Sequence, residues 1–157
     1  MKRKVLIPVD HSEHSTRAIR WYLDNMASVA TDDVTMVSIV EAKMKIDLNS
    51  DKVDYDTLAD ELKTKFVEAQ KKLVAAADSY RFMITTAGFN TGEVHHQIIA
   101  GNKPGEAICS HAKEAGMDVV VIGNRGLGTM KRAILGSVSE YVLHHASIPV
   151  ALVPPAQ

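Results

Sequence analysis

The chain has 157 residues, 46% of them hydrophobic, which is the size of one domain with an adequate core and leaves no reason to expect a second. A net charge of −1 and a pI near 6.6 argue against a nucleic-acid binder, which would carry a basic excess on one face. Cys109 is the only cysteine, so internal disulfides and cysteine-based zinc sites are excluded, and a small buried helix residue in a reducing compartment is expected there.

Met1 to Lys4 is basic like the start of a signal peptide, but the apolar run that follows ends at Asp10, too short for a secretory core. A cytoplasmic protein without membrane contact is expected. Lys4 to Val9 reads as a buried first strand with Asp10 at its carboxyl end. Ser12 and Ser15 are candidate N-caps for a helix to about Val29, with Ala18, Ile19, Tyr22, Leu23 and Met26 on one face. Asp33 to Val40 reads as strand two. Glu41 to Asp54 turns polar and charged, a surface connection with the makings of a lid.

A long helix follows, since Leu58, Leu62, Phe66, Ala69, Leu73, Ala76, Tyr80, Ile84 and Ala87 recur every three or four residues. That period carries through Phe82 to Thr86, a run that alone would pass for a strand, and Gly88 is placed to end the helix. Val94 to Ala100 reads as strand three. Pro104 opens a helix to about Ala115, with Gly116 ending it. Val119 to Ile122 is a short continuous apolar run, the signature of a strand covered on both faces. A helix from Ser137 to His145 turns Val138, Tyr141 and Val142 inward, and Pro149 to Val153 forms a last strand. Alternating strands and helices imply an α/β domain: a parallel sheet with helices on both faces and right-handed crossovers.

The functional signal lies between the fourth strand and the last helix. Gly123, Gly126 and Gly128 permit positive φ and close backbone approach, so that their N–H groups can converge on one guest. Gly136, Ser137 and Ser139 then open a helix whose first N–H groups lack internal partners and carry the positive end of the dipole. Arg125, Lys131 and Arg132 add positive charge, and no Asp or Glu occurs between Asn124 and Ser139. Such a loop is built for an anion, and phosphate is its natural guest. Capping of the helix by Ser137 and Ser139 is compatible with that role.

The spacing Gly123-x2-Gly126-x9-Gly136-Ser137 after a hydrophobic strand resembles the nucleotide-binding loop of the universal stress protein family, in its ATP-binding subgroup. Val5 to Asp10 (VLIPVD) is similar to the family's first strand, and Gly101 to Ile122 to a further segment, so that nearly the whole chain is covered. The resemblance implies the universal stress protein fold, akin to the adenine nucleotide alpha hydrolases: an open five-stranded parallel sheet of order 3-2-1-4-5. The winding then reverses between strands one and four, where ligands of such sheets bind. By position, Pro8, Val9 and Asp10 fall beside Ile122 and Gly123. The resemblance implies that Val9 and Val40 wall the adenine and that Asp10 accepts hydrogen bonds from ribose hydroxyls or the adenine amine, unless it merely caps the following helix. Gly123, Arg125 and Gly126 would wrap the ribose and first phosphates, and Gly136, Ser137, Val138 and Ser139 the outer ones. Asn124 is assigned no role. The implied ligand is ATP, with Mg²⁺ as a companion ion, and the implied assembly is a homodimer through Pro149 to Val153, an apolar edge strand that invites pairing.

Other chemistries fail on inspection. Gly123 and Gly128 have the outer spacing of a P-loop, but Thr129 stands where that motif needs Lys. Gly126-Leu127-Gly128 begins a dinucleotide fingerprint whose third glycine would fall on Lys131. Ser137 lacks the G-x-S-x-G elbow of a hydrolase. His95-His96 and His144-His145 are adjacent residues that point apart, and Asp10, His11 and His14 make a thin set for zinc. No catalytic set of metal-holding carboxylates and a water-positioning group stands out. The expected function is a nucleotide-responsive regulator of the stress response. The alternatives are a slow ATP hydrolase, with Asp10 as its candidate base or metal ligand, and a partner-binding dimeric scaffold that needs no nucleotide.

Overall fold

The computed structural model describes residues 1–41, 55–124 and 135–155, with the backbone alone for residues 55–58. Five strands, β1 (Arg3–Pro8), β2 (Asp32–Val40), β3 (Val94–Ala100), β4 (Val119–Gly123) and β5 (Val150–Val153), form one sheet of order β3-β2-β1-β4-β5. Every pairing is parallel. Among the described residues four α-helices connect them, α1 (Glu13–Asn25), α2 (Tyr55–Thr86), α3 (Pro104–Glu114) and α4 (Ser137–His145), with a 3-10 turn at Thr91–Glu93 before β3.

Side-chain alternation along the central strands divides the core into two layers. Val5 and Ile7 of β1, Val9 directly after it, and Val34 and Met36 of β2 pack with Ala18, Ile19 and Tyr22 of α1 and Tyr80 and Ile84 of α2. On the other face, Leu6, Val37, Val120 and Ile122 meet Ile108 and Ala112 of α3 and Val142 of α4. Both faces of the sheet are thus covered, as the continuous apolar runs of β1 and β4 require. Cys109 is half-buried on the α3 side.

The helix ends follow local chemistry. Pro104 occupies the first turn of α3, where its missing N–H leaves no orphan. Gly88 (φ 104°) and Gly116 (φ 61°) follow α2 and α3 in the left-handed conformation that only glycine adopts without strain. The helical period through Phe82 to Thr86 holds to Thr86.

Helix α1 stops at Asn25, short of the expected Val29. The chain leaves it to form a turn in which Ser28 N–H donates to Asp32 Oδ2 (3.0 Å) and the Thr31 and Asp32 N–H groups donate to Ser28 O. Asp32, not Asp33, begins β2, and it is fully buried. Arg3 donates to it through Nε (2.9 Å) and Nη2 (2.6 Å), and the Tyr22 hydroxyl donates at 2.8 Å. Burial pushes this carboxyl up, but the hydrogen bonds from Arg3, Ser28 and Tyr22 outweigh it and hold the pKa below its ordinary 3.8. Asp32 ties β1, α1 and β2 together at the amino end of the strands, opposite the cleft end of the sheet. The Glu41 to Asp54 connection, apart from Glu41, lies outside the described residues.

Candidate functional site

A cleft of about 360 Å³ opens at the carboxyl ends of the strands, at the reversal between β1 and β4. Its apolar wall is made by Pro8, Val9, Val37, Ile39 and Ile122, with Pro104 and Ile108 from α3. Asp10, Ser12, His14 and Ser15 line it from the β1–α1 turn, Glu41 from the end of β2, and Gly136, Ser137, Val138 and Ser139 from the start of α4.

Of the expected residues, Pro8, Val9, Asp10, Ile122, Gly123, Gly136, Ser137, Val138 and Ser139 therefore meet at one cleft. Val40 does not line it. It is buried, and its neighbours Ile39 and Glu41 line the cleft instead, because successive side chains of a strand point to opposite faces. Arg125 and Gly126, with Gly128, Lys131 and Arg132, lie outside the described residues.

The turn after β1 is held by a closed set of short-range bonds. Asp10 Oδ1 accepts from Ser12 N–H (2.9 Å) and from the Ser15 hydroxyl (2.8 Å), whose oxygen accepts from Asp10 N–H (2.8 Å). This is an Asx-turn. Ser12 is the N-cap of α1 by position but makes no side-chain capping bond, and Ser15 reaches back to Asp10 instead. Burial raises the Asp10 carboxyl, yet the Ser12 and Ser15 bonds and the charge of His11 leave it below its ordinary value, so it is ionised at neutral pH. From α2, the Tyr80 hydroxyl donates to Asp10 O (2.9 Å), a long-range buttress with no local signature in the sequence.

Gly123 has a reason different from the expected one. Its φ is not positive; among the described residues only Gly88 and Gly116 are. A Cβ at Gly123 would lie 2.3 Å from the His14 carbonyl oxygen and 2.9 Å from its carbon, so glycine is needed for the close approach of α1 to β4.

Gly136 is the N-cap of α4, in extended conformation at φ −70°. The first bond of the helix runs from Glu140 N–H to Gly136 O (2.8 Å), which leaves the N–H groups of Ser137, Val138 and Ser139 without intrahelical acceptors. These three donors, at the positive end of the helix dipole and on the cleft wall, suit an anion. The Ser139 hydroxyl points inward, and its one hydrogen is shared between Gly136 O (2.9 Å) and Asn124 Oδ1 (3.2 Å).

Asn124 was the residue that sequence reasoning missed. It is 2% exposed and stands directly after β4. Its Oδ1 accepts from Gly136 N–H (3.0 Å) as well as Ser139, its N–H donates to Val153 O (2.8 Å), and its carbonyl accepts from Arg17 Nη2 (2.7 Å). The same Arg17 nitrogen lies 3.2 Å from His14 Nδ1. The only local hint was a carboxamide between two glycine positions.

Comparison with known proteins agrees with this fold. A local match to the universal stress protein Slr1101 of Synechocystis is 45% identical over 51 residues, 32% of this chain and 47% of that protein. Universal stress protein MJ0577 of Methanocaldococcus jannaschii is 25% identical over 162 residues, covering 98% of this chain and 95% of its own. The solved structure of MJ0577 superposes with a TM-score of 0.73 over 100% of this chain and 99% of that one. Two further structures share the fold: a universal stress protein in complex with cAMP (TM-score 0.66, 23% identity, 96% of both chains) and an Arabidopsis thaliana family protein with AMP bound (TM-score 0.59, 21% identity, 98% and 92%). With the sheet order, the cleft at its reversal and a match to the Universal stress protein family model over residues 1–154, this chain belongs to the universal stress protein family.

Proposed function

We propose that the cleft binds an adenine nucleotide, ATP in particular, and that the protein acts as a nucleotide-responsive regulator in the stress response. The observation that carries this reading is the pairing of an apolar slot with three helix N–H groups that have no acceptor among the described residues, at the winding reversal. In it, the base lies against Val9, Ile39 and Ile122, the ribose reaches the Asp10 side of the cleft, and the phosphates accept from Ser137, Val138 and Ser139. Arg125 and Gly126 wrap the ribose and first phosphates. Mg²⁺ accompanies the phosphates, and Asp10 and Glu41 are the carboxylates on the described cleft wall. The cAMP and AMP complexes of two relatives by fold support the adenine class. Strand β5 pairs with β4 and with no other strand among the described residues, and a second copy of the chain pairs along its open edge.

Mass spectrometry of nucleotide released from freshly purified protein tests the ligand directly. A ligand that binds only the native state at 100 times its Kd stabilises it by about 2.7 kcal/mol. At roughly 2 to 4 °C per kcal/mol for a domain of this size, saturating ATP raises the melting temperature by roughly 5 to 10 °C. GTP does less, and Gly126→Val abolishes the shift while remaining folded. Equal shifts from ATP, GTP and inorganic triphosphate would refute recognition of adenine. No shift from any of them, in protein free of copurified nucleotide, would overturn the reading of the cleft.

A further inference from the structure

We propose that Asn124 is the positioning residue of this cleft: it sets the first turn of α4 in the register at which the N–H groups of Ser137, Val138 and Ser139 meet a phosphate. The proposal rests on the nucleotide reading above and goes beyond it, because Asn124 lines no part of the cleft itself. A helix start held only by its own backbone frays, whereas this one is fixed from the strand side. Two of the groups that define the turn, Gly136 N–H and the Ser139 hydroxyl, converge on the single acceptor Asn124 Oδ1. Asn124 is in turn fixed by bonds that come from elsewhere in the fold. Its N–H is anchored to Val153 at the end of β5, and its carbonyl to Arg17 of α1, 107 residues away in the chain.

The chemistry explains why asparagine fits. Burial at 2% exposure demands that its polar atoms be satisfied, and the carboxamide oxygen accepts two bonds without bringing a negative charge to an anion site. An aspartate would accept the same two bonds but oppose the phosphates. A serine hydroxyl would sit one bond closer to the backbone than Oδ1, which meets Gly136 N–H at 3.0 Å. The Ser139 hydroxyl, its hydrogen shared between Asn124 Oδ1 and Gly136 O, leaves the backbone N–H as that residue's donor to the ligand.

The test separates phosphate binding from base binding by measuring affinities for ATP and for adenosine, and it follows the Gly136 amide by hydrogen exchange in ligand-free protein. In Asn124→Ala, ATP affinity falls about tenfold, the equivalent of one charge-assisted hydrogen bond, while adenosine affinity is kept and the Gly136 amide exchanges faster. Ser139→Ala, which removes one of the two bonds, gives a smaller loss for ATP and leaves Gly136 protected. In the double variant the losses do not multiply, because both act through the same clasp. An unchanged ratio of ATP to adenosine affinity in Asn124→Ala overturns the proposal, as does an equal loss for both ligands or an unchanged Gly136 exchange rate. Should Asn124→Ala fail to fold, an unchanged ratio in Ser139→Ala overturns it. If the unaltered protein binds neither ligand, the nucleotide reading and the phosphate-positioning role fall together. If it binds ATP and only the ratio in Asn124→Ala is unmoved, the positioning role alone falls.

Discussion

Replacing Gly123 by alanine separates two reasons for a glycine at the end of β4. The added Cβ would sit 2.3 Å from the His14 carbonyl oxygen, roughly 1 Å inside the ~3.3 Å at which carbon and oxygen first touch. The atom in the way belongs to the backbone of α1, so relief requires that the helix move away from the sheet; no rotamer change suffices. Overpacking of this kind costs about 1 to 3 kcal/mol, and a rigid neighbour places the variant near the upper end, about 3 kcal/mol. At roughly 2 to 4 °C per kcal/mol, the melting temperature of ligand-free Gly123→Ala drops by roughly 6 to 12 °C, read by circular dichroism. The Asp10–Ser15 turn rides on the same end of α1, so nucleotide affinity falls with it. A ligand-free melting temperature unchanged to within about 2 °C, together with lost ATP binding, would refute this reasoning. The glycine would then serve the ligand and not the packing.

Arg3→Ala leaves the buried Asp32 carboxylate without its cation and destabilises the fold by about 3 kcal/mol in urea titration. Because Asp32 and Asp10 both have folded pKa values below the ordinary 3.8, the stability they contribute is complete above that value and is lost as the pH falls through their lower folded ones. Asp32→Asn flattens that acid limb of the stability curve. His96 donates through Nε2 to Ser38 Oγ (2.9 Å), since the Ser38 hydroxyl hydrogen goes to Val9 O (2.9 Å), an assignment made from the hydrogen-bond network. Burial, and then the charge of Arg81 against the opposing pull of Asp78, lowers the His96 pKa, so stability declines as the pH falls from 6.5 toward the lower folded value. His96→Gln removes that slope, and a slope that survives would point to another group. Because the glycine-rich loop between Asn124 and Ser139 offers donors and no acidic residue, steady phosphate release with Mg²⁺ falls far below about one per second, whereas a rate near it that Asp10→Ala abolishes would identify a hydrolase. Light scattering at micromolar concentration gives the mass of a homodimer, and a single 17.1 kDa species would refute pairing through β5.

The order of elements and most of their ends were legible in the sequence because their causes are local. An unbroken run of β-branched residues makes β4 a covered strand, the recurrence from Leu62 to Ile84 makes α2 a helix, and Gly88, Pro104 and Gly116 end or start helices through their own φ preferences. The place of the cleft was also foreseen, given a strand order taken from family resemblance, since a winding reversal sets it. Tertiary structure alone decided the rest. Val40 yields to Ile39 because the face a strand residue takes depends on what covers the sheet. Asp32 becomes the buried anchor because Arg3 and Tyr22 reach it from two other elements. Tyr80 holds Asp10 across 70 residues, His14 fills the space beside Gly123, and Arg17 finds Asn124 across 107. Those partners are joined by the crossover of the chain and not by any spacing along it. A periodic pattern records which face of an element is apolar, but a buried hydrogen bond between distant residues leaves no period to read.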